Sequence, residues 1–192
     1  ARIYSTFTGR TAPFADVAYD SKRLIVSTAL ASEFQVLAQA VNRLSERDWR
    51  WRDFTLASIR RALREIVACF PVYRTYVTPA ARTAVDEAIV DRAIADARRR
   101  NPALESSVFD FLREILLPHA AAGTSAPDGG VDHVRFDVAM RFQQYTAPVQ
   151  AKGIEDTAFY RYHLLASLNE VGGDPGRVGR SVADFHAAND AR

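Results

Sequence analysis

The pattern of apolar residues is helical over most of the chain. In its first third, five large apolar residues recur at intervals of four and three residues, which places their side chains on one face of an α-helix. We therefore predict one long helix over residues 16–46, which ends at the charged run of residues 45–51. The residues of this stripe are Leu30, Phe34, Leu37, Val41 and Leu44.

A second stripe of the same spacing predicts another helix between residues 56 and 70. Either Asp53 or Thr55 can cap its N terminus, because their side-chain oxygens can accept from the free N–H groups of the first turn. Pro71 ends this helix, since proline cannot continue the backbone hydrogen bonds. The stripe consists of Leu56, Ile59, Leu63, Ile66 and Phe70.

Further helices follow along the chain. Thr78-Pro79 and Asn101-Pro102 are typical helix start signals, and we expect the second of these helices to end near Leu117. Residues 123–130 read as a loop by composition, and a last helix is predicted over residues 182–189. The buried side of the first of these helices is Ile89, Val90, Ala93, Ile94 and Ala97, and Val134, Val138, Phe142 and Tyr145 mark another helix.

One segment does not follow the helical pattern. Residues 70–77 are few and rich in β-branched and aromatic residues, which favours an extended conformation. The fold class is therefore mainly α, an irregular helical bundle with at most one short strand near residues 70–77. We predict two parts, a helical subdomain over residues 1–130 and a helical segment over residues 131–192 that carries the candidate site.

Composition and charge narrow the function. The 192 residues carry 25 basic and 23 acidic side chains, a net charge of +2. So small an excess does not provide the field that phosphate backbones need, which argues against nucleic acid as a partner. The four histidines lack the spacing of a zinc site, Cys69 has no cysteine to pair with, and we expect no metal and no cofactor.

Targeting signals are absent from the pattern. No apolar run approaches the roughly 20 residues that span a bilayer, and no signal-peptide pattern opens the chain. We therefore expect a cytoplasmic protein without a membrane partner. The first residue is alanine rather than methionine, which favours a fragment of a longer protein.

The strongest functional signal lies in residues 141–175. This stretch places charged residues among five aromatic residues, with Gly153, Gly172 and Gly173 at positions suited to sharp turns. Saccharide-binding clefts use this combination, because sugar hydroxyls need fixed donors and acceptors while the pyranose face needs a flat apolar partner.

Four ordered motifs carry a resemblance to a known family. They are FPVYRTYV at residues 70–77, RFQQ at 141–144, AKGIEDTAFYRY at 151–162 and SLNEVGGDP at 167–175. With them the chain resembles, over nearly its whole length, the maltooligosyl trehalose synthase family of glycoside hydrolase family 13. It departs from the family pattern at Ala147, Gln150 and His163.

The resemblance implies an isomerase, the (1→4)-α-D-glucan 1-α-D-glucosylmutase of trehalose biosynthesis. Such an enzyme turns the reducing-end α-1,4 bond of a maltooligosaccharide into an α,α-1,1 linkage by intramolecular transglycosylation. This chain would be an internal helical insertion of its (β/α)8 barrel, with the catalytic carboxylates on flanking polypeptide. We therefore expect no catalytic residue here, an inactive isolated chain, and two partners, the maltooligosaccharide and the rest of the barrel enzyme.

The candidate binding residues lie in two of the motifs. Lys152 and Glu155 are three residues apart, so one can donate and the other accept around the same sugar. From spacing alone a surface ion pair is the alternative, and the resemblance favours the sugar site. The stacking face would come from Phe159, Tyr160 or Tyr162, and Tyr73 and Arg74 either line the site or flank a segment that is simply core.

Two other functions compete with the synthase fragment. One is a non-catalytic helical module that binds glucan or a protein partner. The other is a basic helical domain that binds nucleic acid, which the near-neutral charge disfavours. Flanking barrel-type sequence in a longer reading frame would separate the first two.

Overall fold

The computed structural model describes residues 2–9, 12–118, 130–179 and 181–190. Over these residues the chain is mainly helical and contains no β-strand, which confirms the predicted fold class. Residues 71–77, which we call the extended segment after the prediction, form neither helix nor strand and bend at Val72 and Tyr73. His119 and most of the predicted loop at residues 123–130 lie outside the described residues. The elements are α1 (Arg2–Thr8), α2 (Phe14–Ser27), α3 (Ala31–Arg47), α4 (Leu56–Cys69), α5 (Ala84–Arg100), α6 (Ser106–Leu116), α7 (Gly130–Gln150), a π-helix (Ala151–Ala158), a 3₁₀ turn (Ala166–Leu168) and α8 (Val182–Asp190).

The predicted long helix over residues 16–46 is wrong, because the chain bends by 83° between α2 and α3. The bend is closed locally: the Thr28 hydroxyl donates to the carbonyl of Leu24 at 2.7 Å, and the Leu30 N–H donates to the carbonyl of Ile25 at 3.0 Å. As a result α2 packs on α4 and the π-helix, while α3 packs on α4 and α7. In the described part of the chain no single helix is long and apolar enough to cross a membrane, and α2 and α3 pass that test only as a bent pair.

The core lies where α3, α4, α5, α6 and α7 meet. The stripes predicted for α3 and α4 are buried except for their first residues, Leu30 and Leu56, which are half-buried. Ile59, Leu63 and Ile66 are fully inaccessible. Phe70, at the end of α4, meets Phe142 of α7 edge to face, with ring centroids 5.3 Å apart. Core residues thus come from both sides of the predicted boundary at residues 130 and 131, and that division into two parts stays a prediction.

Helix caps decide where two of the elements begin. Thr55 caps α4, as one of the two predicted candidates, and its Oγ1 accepts from the Ser58 N–H at 3.1 Å. The predicted start of α5 after Thr78-Pro79 is wrong. Thr83 and Asp86 form a capping box five residues further on, in which each side chain accepts from the other's N–H at 3.1 Å.

Candidate functional site

The AKGIEDTAFYRY motif begins where α7 changes its hydrogen-bonding pattern. From Ala151–Ala158 the helix is a π-helix, in which the Phe159 N–H donates to the carbonyl of Ile154 at 2.9 Å. Such turns are rare and are frequently found at functional sites. In this wider turn the side chain of Lys152 is exposed and that of Glu155 is half-buried.

Gly153 allows the π-helix to approach α2 at backbone distance. A Cβ atom at this position would lie 2.5 Å from Cγ and 3.0 Å from Cα of Lys22. No side chain fits in that space without moving α2. Gly153 therefore fixes how closely the motif packs against the N-terminal half of the chain.

Tyr73 and Glu155 connect the two motifs that contain the candidate residues. The Tyr73 hydroxyl donates to Oε1 of Glu155, although 82 residues separate them. This hydrogen bond, with some burial, raises the pKa of Tyr73 above its ordinary value. Two of the residues predicted from separate segments are thus brought together.

The same extended segment is fixed at its far end. Val77 is buried and makes both of its backbone hydrogen bonds to the side chain of Gln143, which belongs to the RFQQ motif. The backbone N–H of Tyr76 donates to Oδ1 of Asp86 at 3.0 Å. The far end of the segment is therefore held in place by side chains of α5 and α7.

Arg74 points to the outer face of this segment. Its guanidinium carbon lies 4.7 Å from the centroid of the Tyr76 ring, within the range of a cation–π contact. Tyr76 is 68% exposed, so it does not belong to the core, whereas Phe70 is buried and Val72 packs against the core. The segment thus buries some of its side chains and presents Tyr73, Arg74 and Tyr76 outwards.

A cavity of about 910 Å³ lies beside the end of the motif, between α1, α2 and residues 160–164. Tyr160 and Tyr162 line it, and we call it the tyrosine cavity. Phe159 lies behind its wall, where its ring stacks on Phe14 with centroids 6.0 Å apart and only 8% of the residue is exposed. Tyr160 and Tyr162 are therefore the aromatic residues of the motif that line the cavity, and the half-buried Tyr162 also meets Phe14 edge to face with centroids 5.4 Å apart.

The remaining candidates lie outside the lining of this cavity. Of these, the structure brings Tyr73 and Glu155 into contact, while Lys152 lies on the same π-helix and Arg74 is next to Tyr73 in the chain; we call these four residues the polar surface. The sequence analysis also missed cavity residues. Tyr4, Ser5 and Asp20 line it from α1 and α2, and only the packing of α2 against the π-helix places them beside a motif far along the chain.

Lys22 is a further residue whose environment the sequence pattern did not indicate. It is 6% exposed, and its Nζ donates to the carbonyl of Phe70 at 2.8 Å and to Oε1 of Gln150 at 3.2 Å. Burial lowers the pKa of Lys22 to about 8. The sequence gives no signal for this, because a lysine in an amphipathic helix is ordinarily exposed.

Two further kinds of site, a reactive thiol and a metal centre, are not found among the described residues. Burial raises the pKa of the Cys69 thiol to about 11, so it stays protonated at neutral pH and is a poor nucleophile. Within the described ranges no group of three or more His, Cys, Asp or Glu side chains could hold a metal ion.

Comparisons with known proteins give partial matches. No family model matches the chain. Two curated relatives from Mycobacterium tuberculosis, strains CDC 1551 / Oshkosh and ATCC 25618 / H37Rv, are each 54% identical to it over 56 residues, and both carry the provisional name maltooligosyl trehalose synthase. The match covers 28% of this chain but 7% of each relative, so the chain corresponds to a small part of those proteins.

A solved structure matches the whole chain. This structure, DSM5389 glycosyltrehalose synthase, aligns with 100% of the chain at a TM-score of 0.60 and 23% identity, and the chain covers 19% of its length. The match shows that the helical fold is that of one segment of a larger protein. Together these findings confirm the resemblance read from the sequence: the chain is similar to part of the maltooligosyl trehalose synthases.

Proposed function

We propose that this chain is the saccharide-binding helical segment of a glucosylmutase of glycoside hydrolase family 13, inserted into its (β/α)8 barrel. The parent enzyme converts the reducing-end α-1,4 bond of maltooligosaccharides into an α,α-1,1 trehalose linkage. One observation carries the proposal: the motif at residues 151–162 contacts the extended segment through Glu155 and lines the tyrosine cavity through Tyr160 and Tyr162. The names of the relatives support it.

The chemistry of both surfaces suits a glucan. Tyr160 is 76% exposed and offers a flat apolar ring to a pyranose face, and Asp20, which also lines the tyrosine cavity, is an acceptor for hydroxyl groups. On the polar surface Lys152 and Arg74 donate, while Glu155 accepts. Such contacts can hold the freed glucose while it is turned over and kept from water, which transfer without hydrolysis requires.

Bond cleavage belongs to the rest of the parent enzyme. A retaining glycosidase needs a nucleophilic carboxylate and an acid/base carboxyl about 5 Å apart, and we place both on the flanking barrel strands. The chain alone is then inactive and uses no cofactor. We place the parent enzyme in the cytoplasm, with the maltooligosaccharide as ligand and neither nucleic acid nor membrane as a partner.

Binding of maltopentaose to the purified chain tests this function. We expect saturable chemical-shift changes in NMR titrations, and Tyr160→Ala and Tyr162→Ala each to weaken binding by about tenfold through loss of an aromatic contact. Trp49→Ala is the matched control, because Trp49 is also 80% exposed but does not line the tyrosine cavity. Binding that both tyrosine variants leave unchanged would contradict the proposal, as would release of trehalose-ended product by the chain alone.

Variants in the full-length parent test the polar surface separately. We expect Lys152→Ala and Glu155→Ala to lower transfer and to raise the share of free glucose, while the fold stays intact. Product ratios measured by chromatography with maltopentaose as substrate give the answer. If either variant keeps the wild-type ratio of transfer to hydrolysis, that residue does not take part in holding the freed glucose.

A further inference from the structure

One buried ammonium group joins the two segments that carry the candidate site. Lys22 Nζ donates to the carbonyl of Phe70 and to Oε1 of Gln150. Phe70 caps the C terminus of α4, directly before the extended segment, and Gln150 is the last residue of α7 before the π-helix. The amine therefore holds both segments at the points where they leave their helices.

The stem of the same side chain adds a steric contact. Lys22 Cγ and Cα lie so close to Gly153 that a Cβ there would be 2.5 and 3.0 Å away. The methylene groups of Lys22 thus pack against Gly153 in the π-helix, while its amine donates to the carbonyl of Phe70. Few side chains combine this length, this narrow stem and a terminal donor.

The cost of burying this group points to a specific role. A buried amine without an acidic partner is unfavourable, and apolar residues of similar volume are often more stable in such places. In the described part of the chain the ion pairs do not include Lys22, whose amine donates to a carbonyl and to an amide oxygen. Stability alone does not account for a lysine at this point.

We propose that Lys22 is a positioning residue, which holds the extended segment and the π-helix in the arrangement where Tyr73 meets Glu155. Lys22 fixes the start of the extended segment at Phe70, and Gln143 fixes its end at Val77. Tyr73 lies between these two anchors. The inference rests on the proposed function in one respect: the two segments that Lys22 holds are the ones proposed to bind saccharide.

Hydrogen-exchange mass spectrometry of Lys22→Met in the purified chain tests the proposal. Methionine keeps the length and the narrow stem but cannot donate. We expect backbone amides of residues 72–77 and 151–159 to exchange about tenfold faster, while those of α5 and α6 keep their wild-type rates. Equal acceleration in all helices would mean general destabilisation and would overturn the proposal.

Ser21→Ala is the matched control on the same helix. Ser21 is fully buried, and among the described residues its hydroxyl has no hydrogen-bond partner, so its removal takes away no link to either segment. We expect wild-type exchange in residues 72–77 and 151–159. If Ser21→Ala loosens both segments as Lys22→Met does, the effect belongs to α2 in general and the proposal fails.

A second variant and a spectroscopic readout keep the test decisive if Lys22→Met does not fold. Gln150→Met removes one acceptor of the Lys22 amine. We expect the amides of residues 151–159 to exchange faster and those of residues 72–77 to keep their wild-type rates. If neither set of amides exchanges faster, the proposal is wrong. In either variant the hydrogen bond between Tyr73 and Glu155 should be weakened. We therefore expect a lower pKa for Tyr73, measured by absorbance titration. Absence of maltopentaose binding by the wild type, with the expected exchange pattern, would refute the proposed function and leave the positioning role standing.

Discussion

The side-chain amide of Gln143 makes both of the backbone hydrogen bonds that Val77 would form with a neighbouring strand. The Val77 N–H donates to Oε1 at 2.7 Å, and Nε2 donates to the carbonyl of Val77 at 3.0 Å. Both residues are 1% exposed. Buried backbone groups need partners, and here a glutamine on α7 supplies them, so an extended segment is stable among helices without a sheet.

Replacing Gln143 with alanine should therefore be costly. Two buried backbone groups of Val77 would lose their partners and a small cavity would open, and we expect a loss of about 3 kcal/mol in the free energy of unfolding. Urea denaturation followed by circular dichroism measures it. Gln144→Ala is the control, because the neighbouring glutamine is exposed and its loss should change stability by less than about 0.5 kcal/mol. Similar losses in both variants would contradict this role of Gln143.

The parts of the fold that local periodicity determines were predictable. The buried stripes of α3 and α4 follow from spacing alone, because residues three and four apart share a helix face. The bend between α2 and α3 was not predicted, since apolar positions continue across it and the π-helix on which α2 packs lies far along the chain. The start of α5 was missed although the capping box of Thr83 and Asp86 is a local signal, because Thr78-Pro79 predicts an earlier helix start.

The candidate site shows the same limit. The motif residues could be named from the sequence, since polar and aromatic residues alternate there without a helical stripe. Their division between the tyrosine cavity and the polar surface depends on contacts such as Tyr73 with Glu155, which only the tertiary structure brings together. The buried Lys22 and the cavity residues of α1 and α2 leave no trace in local pattern, because burial of a charge depends on distant partners.

The approach of the π-helix to α2 predicts that Gly153 tolerates no side chain. In Gly153→Ala the new methyl group would overlap Lys22, whose amine is held by two acceptors and cannot easily move. We expect a loss of about 2 kcal/mol, the usual range for overpacking. Lys152→Ala, on the exposed side of the same turn, should change stability by less than about 0.5 kcal/mol. Thermal denaturation of both variants checks this, and a stable Gly153→Ala protein would show that α2 and the π-helix can separate without cost.

The contact between Tyr73 and Glu155 can be observed through the titration of the phenol. The hydrogen bond to Glu155 raises the pKa of Tyr73, so Glu155→Gln should lower it towards the ordinary value of 10.0 for tyrosine. Because the folded chain keeps this proton longer than the unfolded chain, the stabilisation is present below that ordinary value and is lost as pH rises through the folded pKa. Difference absorbance titrations against Tyr73→Phe isolate the group, and Tyr76→Phe serves as the control. An unchanged pKa in Glu155→Gln would mean that the contact does not persist in solution.

Lys22 should make stability depend on alkaline pH in the opposite sense. Burial lowers its pKa from 10.5 to about 8, so between these values the unfolded chain binds more protons than the folded chain. Stability then rises with pH through this window, by up to about 3 kcal/mol. Below pH 8 the amine is protonated in both the folded and the unfolded chain, so the cost of burying its charge is fully present. Above pH 10.5 the amine is neutral in both, and that cost is gone.

Cys69 would obscure this rise, because its pKa is raised to about 11 and its contribution to stability falls as pH rises above 9. The measurement therefore uses Cys69→Ala as the background and Cys69→Ala with Lys22→Met as the reference, since groups common to both cancel in the difference. Urea denaturation from pH 7.5 to pH 10.5 should give a difference in unfolding free energy that grows with pH in favour of the lysine protein. A difference that stays flat across this range would show that the amine reaches water in solution, and that its hydrogen bonds to Phe70 and Gln150 do not hold it in the core.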